Sequence, residues 1–119
     1  MRVDRLRRGP DIVHVHRRGS SYSGPLLRLK LVRRPPEEPG SRVAIIVGSN
    51  VGKAVRRNRV RRRLREIIRI QGRRLRAAVD VVVIARPEAA QAKFRSLEAA
   101  VRQLLRKARL LEDGDRDSE

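Results

Sequence analysis

Between residues 53 and 76 the chain carries twelve basic side chains against one acid, Glu66, yet the same stretch repeats apolar residues at helical spacing. Projected at about 100° per residue, Val60, Leu64, Ile67 and Ile68 fall within one stripe roughly 100° wide. Asn58, Arg62, Arg65 and Arg69 stand opposite, at i, i+4, i+7 and i+11, with Arg61 on one flank and Arg59 and Arg63 on the other shoulder. Such a segment folds as a helix that buries one face and presents guanidinium groups on the other. A helix over residues 53–71, stopped at Gly72, is therefore predicted. The rest of the chain must supply the apolar surface it packs on.

The cationic face is more than a solvated surface. Like charges recur at i,i+4 in Lys53/Arg57, Arg57/Arg61, Arg59/Arg63, Arg61/Arg65, Arg65/Arg69 and Arg69/Arg73, and each pair is unfavourable by about 0.2–0.5 kcal/mol. Arg62/Glu66 is the only opposed pair at that spacing. The summed repulsion, on the order of 1–3 kcal/mol, is a real fraction of the roughly 5–15 kcal/mol that holds a small domain together. Mixed Glu and Lys would serve solubility equally well. Arginine also brings a planar fork that grips phosphate bidentately, and Asn58 among the arginines can both donate and accept toward a base edge or sugar hydroxyl.

The whole chain supports a polyanion partner. Its 119 residues hold 31 Lys plus Arg against 13 Asp plus Glu, and the net +18 divides into −4 on residues 112–119 and +22 on residues 1–111. Residues 1–111 read as one basic domain and residues 112–119 as an acidic, disordered tail. The 39% hydrophobic content is enough for a modest core, so the charge belongs to a folded domain rather than to a basic tail. The absence of cysteine excludes a disulfide framework and thiolate metal sites. His14 and His16, two apart on a short predicted helix, do not share a face, and no protein-bound metal is expected. There is no apolar run long enough to span a bilayer and no signal-like N-terminus, so a cytoplasmic protein without a membrane partner is expected.

Periodicity divides the chain into six elements. Residues 11–18 read as a short helix ended by Gly19. Residues 25–32 form a half-buried strand with Leu27, Leu29 and Leu31 on one face and Arg28 and Lys30 on the other. After the loop 35–40, residues 42–47 form a second strand, and the short connection favours antiparallel pairing with the first. The helix 53–71 follows. Residues 80–85 are a β-branched run expected of a buried central strand. A last helix over residues 88–111 repeats Phe94, Leu97, Val101, Leu104, Ala108 and Leu111 as one core stripe. The order α-β-β-α-β-α predicts a small α+β sandwich.

Several motifs are decoys. The segment Gly48-Ser49-Asn50-Val51-Gly52-Lys53-Ala54 has three residues between its glycines where a phosphate loop has four, and Ala where that loop has Ser or Thr. Arg56-Arg57-Asn58-Arg59 is like a leucine-zipper basic region, but no zipper follows Gly72. Tyr22 and Phe94 are the only aromatics, which argues against a base-stacking sheet platform. No catalytic constellation is evident among the side chains.

The segment Gly52-Lys53-Ala54-Val55-Arg56-Arg57-Asn58-Arg59-Val60-Arg61-Arg62-Arg63-Leu64-Arg65-Glu66 resembles the signature of the bacterial ribonuclease P protein subunit, with its Arg-Asn-Arg motif. Arg5-Leu6-Arg7, Arg42-Val43-Ala44 and Asp80-Val81-Val82-Val83-Ile84-Ala85-Arg86-Pro87 fall where that family has similar runs. The resemblance implies a two-layer α/β sandwich with a mixed sheet and a left-handed βαβ crossover around the motif helix, a handedness the general rule disfavours. It implies that catalysis lies in a partner RNA, which with Mg2+ removes the 5′ leader of precursor tRNA, the protein serving as accessory subunit of this endoribonuclease.

Lys53, Arg57, Asn58, Arg59, Arg61, Arg62, Arg65 and Arg69 are then the candidate contacts to the catalytic RNA. A cleft between the first helix and the sheet, with Ile12, His16, Arg17, Arg28 and Lys30, is the candidate leader site. Ile12, His16 and Lys30 stand where the family commonly has aromatics, and Gly48-Ser49-Asn50 where it often has Ser-Lys-Lys, so leader binding here leans on charge. Composition alone would equally fit a structural RNA-binding protein of ribosomal type; the motif and its context favour the ribonuclease P reading.

Overall fold

The computed structural model describes residues 3–7, 9–38 and 40–111; the acidic segment 112–119 lies outside them. Among the described residues the chain forms strands β1 (Val3–Arg5), β2 (Ser20–Ser23), β3 (Leu27–Arg33), β4 (Ser41–Ile46) and β5 (Val79–Ala85), and helices α1 (Gly9–Arg18), α2 (Ala54–Gln71) and α3 (Phe94–Lys107). β5 is apolar on both faces except at Asp80, so it must be covered on both sides, and it takes the centre of a sheet ordered β1-β4-β5-β3-β2. β4 runs parallel to β5, and β3 antiparallel to it. The expected antiparallel pairing of β3 with β4 does not occur. β5 is inserted between them, because the most apolar strand gains most from two neighbours.

The α+β sandwich with a mixed sheet is as expected, with two edge strands added to the six predicted elements. β1 pairs parallel with β4, and β2 forms a hairpin with β3. Neither Val-Asp-Arg nor Ser-Ser-Tyr-Ser carries an apolar alternation, which is why edge pairing alone defines them. α1 begins at Gly9 rather than Asp11. The single long last helix is also corrected. Pro87–Gln91 forms a 3-10 turn, Lys93 is extended, and α3 starts at Phe94. Its C-terminus closes with Arg109 in the left-handed region at φ 62°, where Leu110 N–H donates to Leu105 O at 2.8 Å and Arg109 N–H to Arg106 O at 2.9 Å.

Alternation along the strands splits the core. Leu27, Leu29 and Leu31 of β3, Val43 of β4, and Val81 and Val83 of β5 face α2 and α3, where Val60, Leu64, Ile67, Leu97, Val101 and Leu104 are buried. Full burial of each such side chain contributes about 1.5–3 kcal/mol. On the opposite face Leu6, Val15, Ala44 and Val82 are buried together, with half-buried Ile12, Val32, Ile46 and Ile84 packed around them. α1 thus lies across one face of the sheet and the two longer helices across the other.

An ionic junction ties α1 to the sheet. The Arg42 guanidinium donates to both Asp80 carboxylate oxygens, from Nε at 2.8 Å and Nη2 at 2.6 Å, and Nη1 lies 3.5 Å from Asp11 Oδ2 of α1. Arg34 Nε stands 3.6 Å from Asp80 on the other side, while its Nη2 reaches Glu38 at 3.1 Å. The Asp80 hydrogen bonds, and less strongly the nearby negative charges, hold the Arg42 guanidinium above its ordinary pKa against the opposing effect of burial. Where α1 hands over to β2, Gly19 approaches β3 so closely that an added Cβ would lie 2.4 Å from Val15 O and 2.9 Å from Leu31 O. Gly19→Ala should lower unfolding stability by about 1–3 kcal/mol, the range for overpacked sites, read as a lower denaturant midpoint at unchanged slope.

Candidate nucleic-acid interface

α2 is the connection between the parallel neighbours β4 and β5. The chain approaches it through a 3-10 turn at Ser49–Val51, whose Val51 is buried, and through Gly52 at φ 143°, a conformation open to glycine. Lys53 is the extended residue at the helix N-cap, and Gly72 follows the last turn. This places Val60, Leu64 and Ile67 inward and Ile68 half-buried. Lys53, Asn58, Arg59, Arg62, Arg65 and Arg69 are exposed, while Arg57 and Arg61 are half-buried flanks. The sequence-predicted set is therefore brought onto one helix surface.

Its electrostatics differ from expectation at Glu66. The acid pairs with Arg69 at i+3, not with Arg62 at i−4: Arg69 Nη2 donates to Glu66 Oε2 at 2.7 Å and Nε to Oε1 at 3.2 Å. A two-point fork to Arg69 satisfies both carboxylate oxygens at once. Among the described residues the guanidinium groups of Arg62 and Arg65 make no hydrogen bond or ion pair. Arg61 Nη1 donates to Asn58 Oδ1 at 2.7 Å, which engages the amide oxygen and leaves the amide N–H donors for a partner.

The cationic surface extends beyond the predicted residues. On the α3 side, Arg56, Arg59, Arg63 and Lys93 edge a shallow groove of about 370 Å3, and Arg63 Nη1 donates to Ala92 O at 3.0 Å. On the β1 side, Arg5 and Arg73 join Arg65 and Arg69 around a larger groove. Arg56 and Arg73 belong to the basic cluster visible in the sequence. Arg5, which the sequence marks only within the run Arg5-Leu6-Arg7, and Lys93 reach this surface through the tertiary fold.

The second candidate set lies on the opposite face. Ile12 packs in the small apolar cluster under α1. His16 is half-buried, and its carbonyl oxygen accepts from Lys30 Nζ at 3.3 Å, which tethers Lys30 to α1. Arg17 and Arg28 are exposed. Ser21, Lys30, Val82 and Ala44 are register partners across four strands, so Lys30 continues the same row as the buried floor under α1. Among the described residues no group of three or more His, Cys, Asp or Glu could hold a metal ion, and no helix is long and apolar enough to cross a membrane.

Residues 1–109 match the sequence model of the family Ribonuclease P. The ribonuclease P protein component of Dehalococcoides mccartyi (strain CBDB1) is 41% identical over 113 residues, 95% of this chain and 91% of that protein. The chain belongs to the ribonuclease P protein family. The component from Acidothermus cellulolyticus is 42% identical over 101 residues, 85% of this chain and 84% of that protein. Among solved structures, the ribonuclease P protein of Staphylococcus aureus shares the fold with a TM-score of 0.82 at 23% identity, covering 91% of this chain and 97% of that one. That of Thermotoga maritima superposes with a TM-score of 0.75 at 27% identity over 87% and 96% of the two chains. The five-stranded mixed sheet with three helices is thus the architecture of a ribonuclease P protein.

In this ribonuclease P protein the hydrogen bonds from Arg69 hold the Glu66 carboxyl below its ordinary pKa. A depressed carboxyl favours the folded arrangement above the unfolded-state pKa, and that contribution disappears as pH falls through the folded value. An NMR titration of the Glu66 carboxyl should therefore give a midpoint below the usual glutamate range, and Arg69→Ala should move it up.

Proposed function

We propose that the chain acts as the accessory protein of a ribonuclease P ribonucleoprotein in the cytoplasm, with the catalytic groups in its partner RNA. The observation that carries this reading is the α2 surface, where Asn58, Arg62, Arg65 and Arg69 are exposed directly behind a buried apolar stripe. Lys53, Arg57, Asn58, Arg59, Arg61, Arg62, Arg65 and Arg69 contact the catalytic RNA, mainly through phosphates. A rigid helix supports this role because the guanidinium groups need no backbone ordering on binding, so each phosphate is engaged at a smaller cost in entropy.

The face under α1 takes the single-stranded 5′ leader of precursor tRNA. Arg17 and Arg28 meet its phosphates, while Lys30, held at the His16 carbonyl, and half-buried Ile12 and His16 shape the floor. With no Phe, Tyr or Trp among these residues, affinity for the leader is chiefly electrostatic and only weakly dependent on sequence. Mg2+ in this reading belongs to the partner RNA, where it supports phosphodiester hydrolysis. The protein's part is to bring two polyanions together and offset their repulsion.

The test is precursor-tRNA cleavage by a bacterial ribonuclease P RNA at low magnesium, which the protein should stimulate; RNA binding without stimulation would sink the subunit reading. Replacing Arg62 and Arg65 by Ala should weaken binding to the catalytic RNA and make its log–log salt slope shallower by roughly 0.7–0.9 for each phosphate no longer neutralised. Wild-type slope and affinity in that variant would remove the α2 face as the RNA site. Arg17→Ala with Arg28→Ala should instead narrow the affinity difference between precursor and mature tRNA in the assembled complex while leaving assembly intact.

A further inference from the structure

Between the β1–β4 edge of the sheet and the C-terminal half of α2 runs a groove of about 480 Å3, within the range of small-molecule sites. Its floor is apolar, formed by Val43 and Ile45 of β4 and Ile68 of α2, of which Ile45 and Ile68 are only half-buried. Its walls are cationic. Arg65 and Arg69 on α2 and Arg73 in the turn beyond stand on one side, at four-residue steps of about 6 Å. Arg5 stands on the other, and as the register partner of Val43 it lies on the same face of the sheet. Asp4, the carboxylate at the groove, is the register partner of Arg42 and so belongs to the opposite face.

We propose that this groove holds one unpaired nucleotide of the RNA bound to α2, with its base against Val43, Ile45 and Ile68 and its phosphates on Arg65, Arg69 and Arg73. The proposal rests on α2 being the RNA face, and it adds a base-accepting pocket to a surface otherwise reading mainly phosphate. A flat apolar body beside a phosphate is the ligand chemistry that fits an apolar floor between guanidinium walls. A lipid surface fits poorly, because the large hydrophobic side chains exposed among the described residues, Val13 and Val55, lie outside the groove. The acidic segment Glu112-Asp113-Gly114-Asp115-Arg116-Asp117-Ser118-Glu119 could answer the walls but has no apolar side chain for the floor. With no aromatic to stack on, the floor distinguishes bases by buried area, so a purine is held more tightly than a pyrimidine.

Isoleucine-methyl NMR of the full chain tests this, with Ile46 and Ile84 reporting separately on the α1 face. Adenosine 5′-monophosphate should shift the Ile45 and Ile68 methyls in a saturable way, and cytidine 5′-monophosphate should do so several-fold more weakly. Inorganic phosphate alone should leave both methyls in place. Arg5→Ala, an exposed substitution outside the α2 set, should weaken adenosine monophosphate binding by about two- to fivefold, as expected when one solvent-exposed positive charge is lost from the opposite wall. The proposal is overturned if Ile46 and Ile84 respond while Ile45 and Ile68 do not, if phosphate alone reproduces the shifts, or if deleting residues 112–119 does so without nucleotide. Silent methyls in a protein whose RNA affinity still depends on Arg62 and Arg65 would remove the pocket and leave the α2 reading standing. Responsive methyls with RNA affinity indifferent to Arg62 and Arg65 would do the reverse.

Discussion

The burial of β5 on both faces is the constraint from which the rest of the structure follows. A strand reading Val-Asp-Val-Val-Val-Ile-Ala has no side to offer to water, so it must have a strand on each edge and helices above and below. Its parallel neighbour β4 can be reached only by a connection that crosses the sheet, and α2 is that connection. A crossover helix has one side against the sheet and one side in solvent. The two-faced pattern of residues 53–71 is what that position demands, and it turns a topological necessity into a cationic surface.

Asp80 is the polar exception on β5, and it serves as the point where separate parts of the chain are joined. Arg42 from β4, Arg34 from the loop after β3 and, through Arg42, Asp11 from α1 converge on it. Placing a carboxylate between two guanidinium groups lets it be 8% exposed without standing as an uncompensated charge. The same junction fixes where α1 crosses the sheet, and so fixes the shape of the second basic face. Both faces of the sheet are thus covered by apolar packing, and under α1 a smaller apolar cluster is pinned by an ionic junction.

What was legible in the sequence had a local period. The α2 stripe, the β-branched run of β5 and the alternation of β3 could be read within windows of a few residues, and they carried the fold class and the α2 site with them. β1 and β2 had no such signature, because three or four polar residues at an edge become strands only when a neighbour offers hydrogen bonds. The insertion of β5 between β3 and β4 depends on a competition among strands that no single segment records. The Arg42–Asp80 bond joins residues 38 apart, and the exchange of Arg62 for Arg69 as the partner of Glu66 depends on rotamer geometry within one helical turn. The groove beside α2 needed Arg5 and Ile68 to be neighbours, which only the assembled sheet makes true.

The molecule measures 40 × 39 × 21 Å between the extremes of its principal axes, and its two basic faces lie on opposite sides of one sheet. Mobile ions screen charge over about 8 Å in solution at physiological ionic strength, but they do not enter the packed sheet, so the two faces are kept apart by position. A strand of nucleic acid on one side would not touch a strand on the other. The sheet works as a spacer: each side can be filled in either order without the occupants meeting.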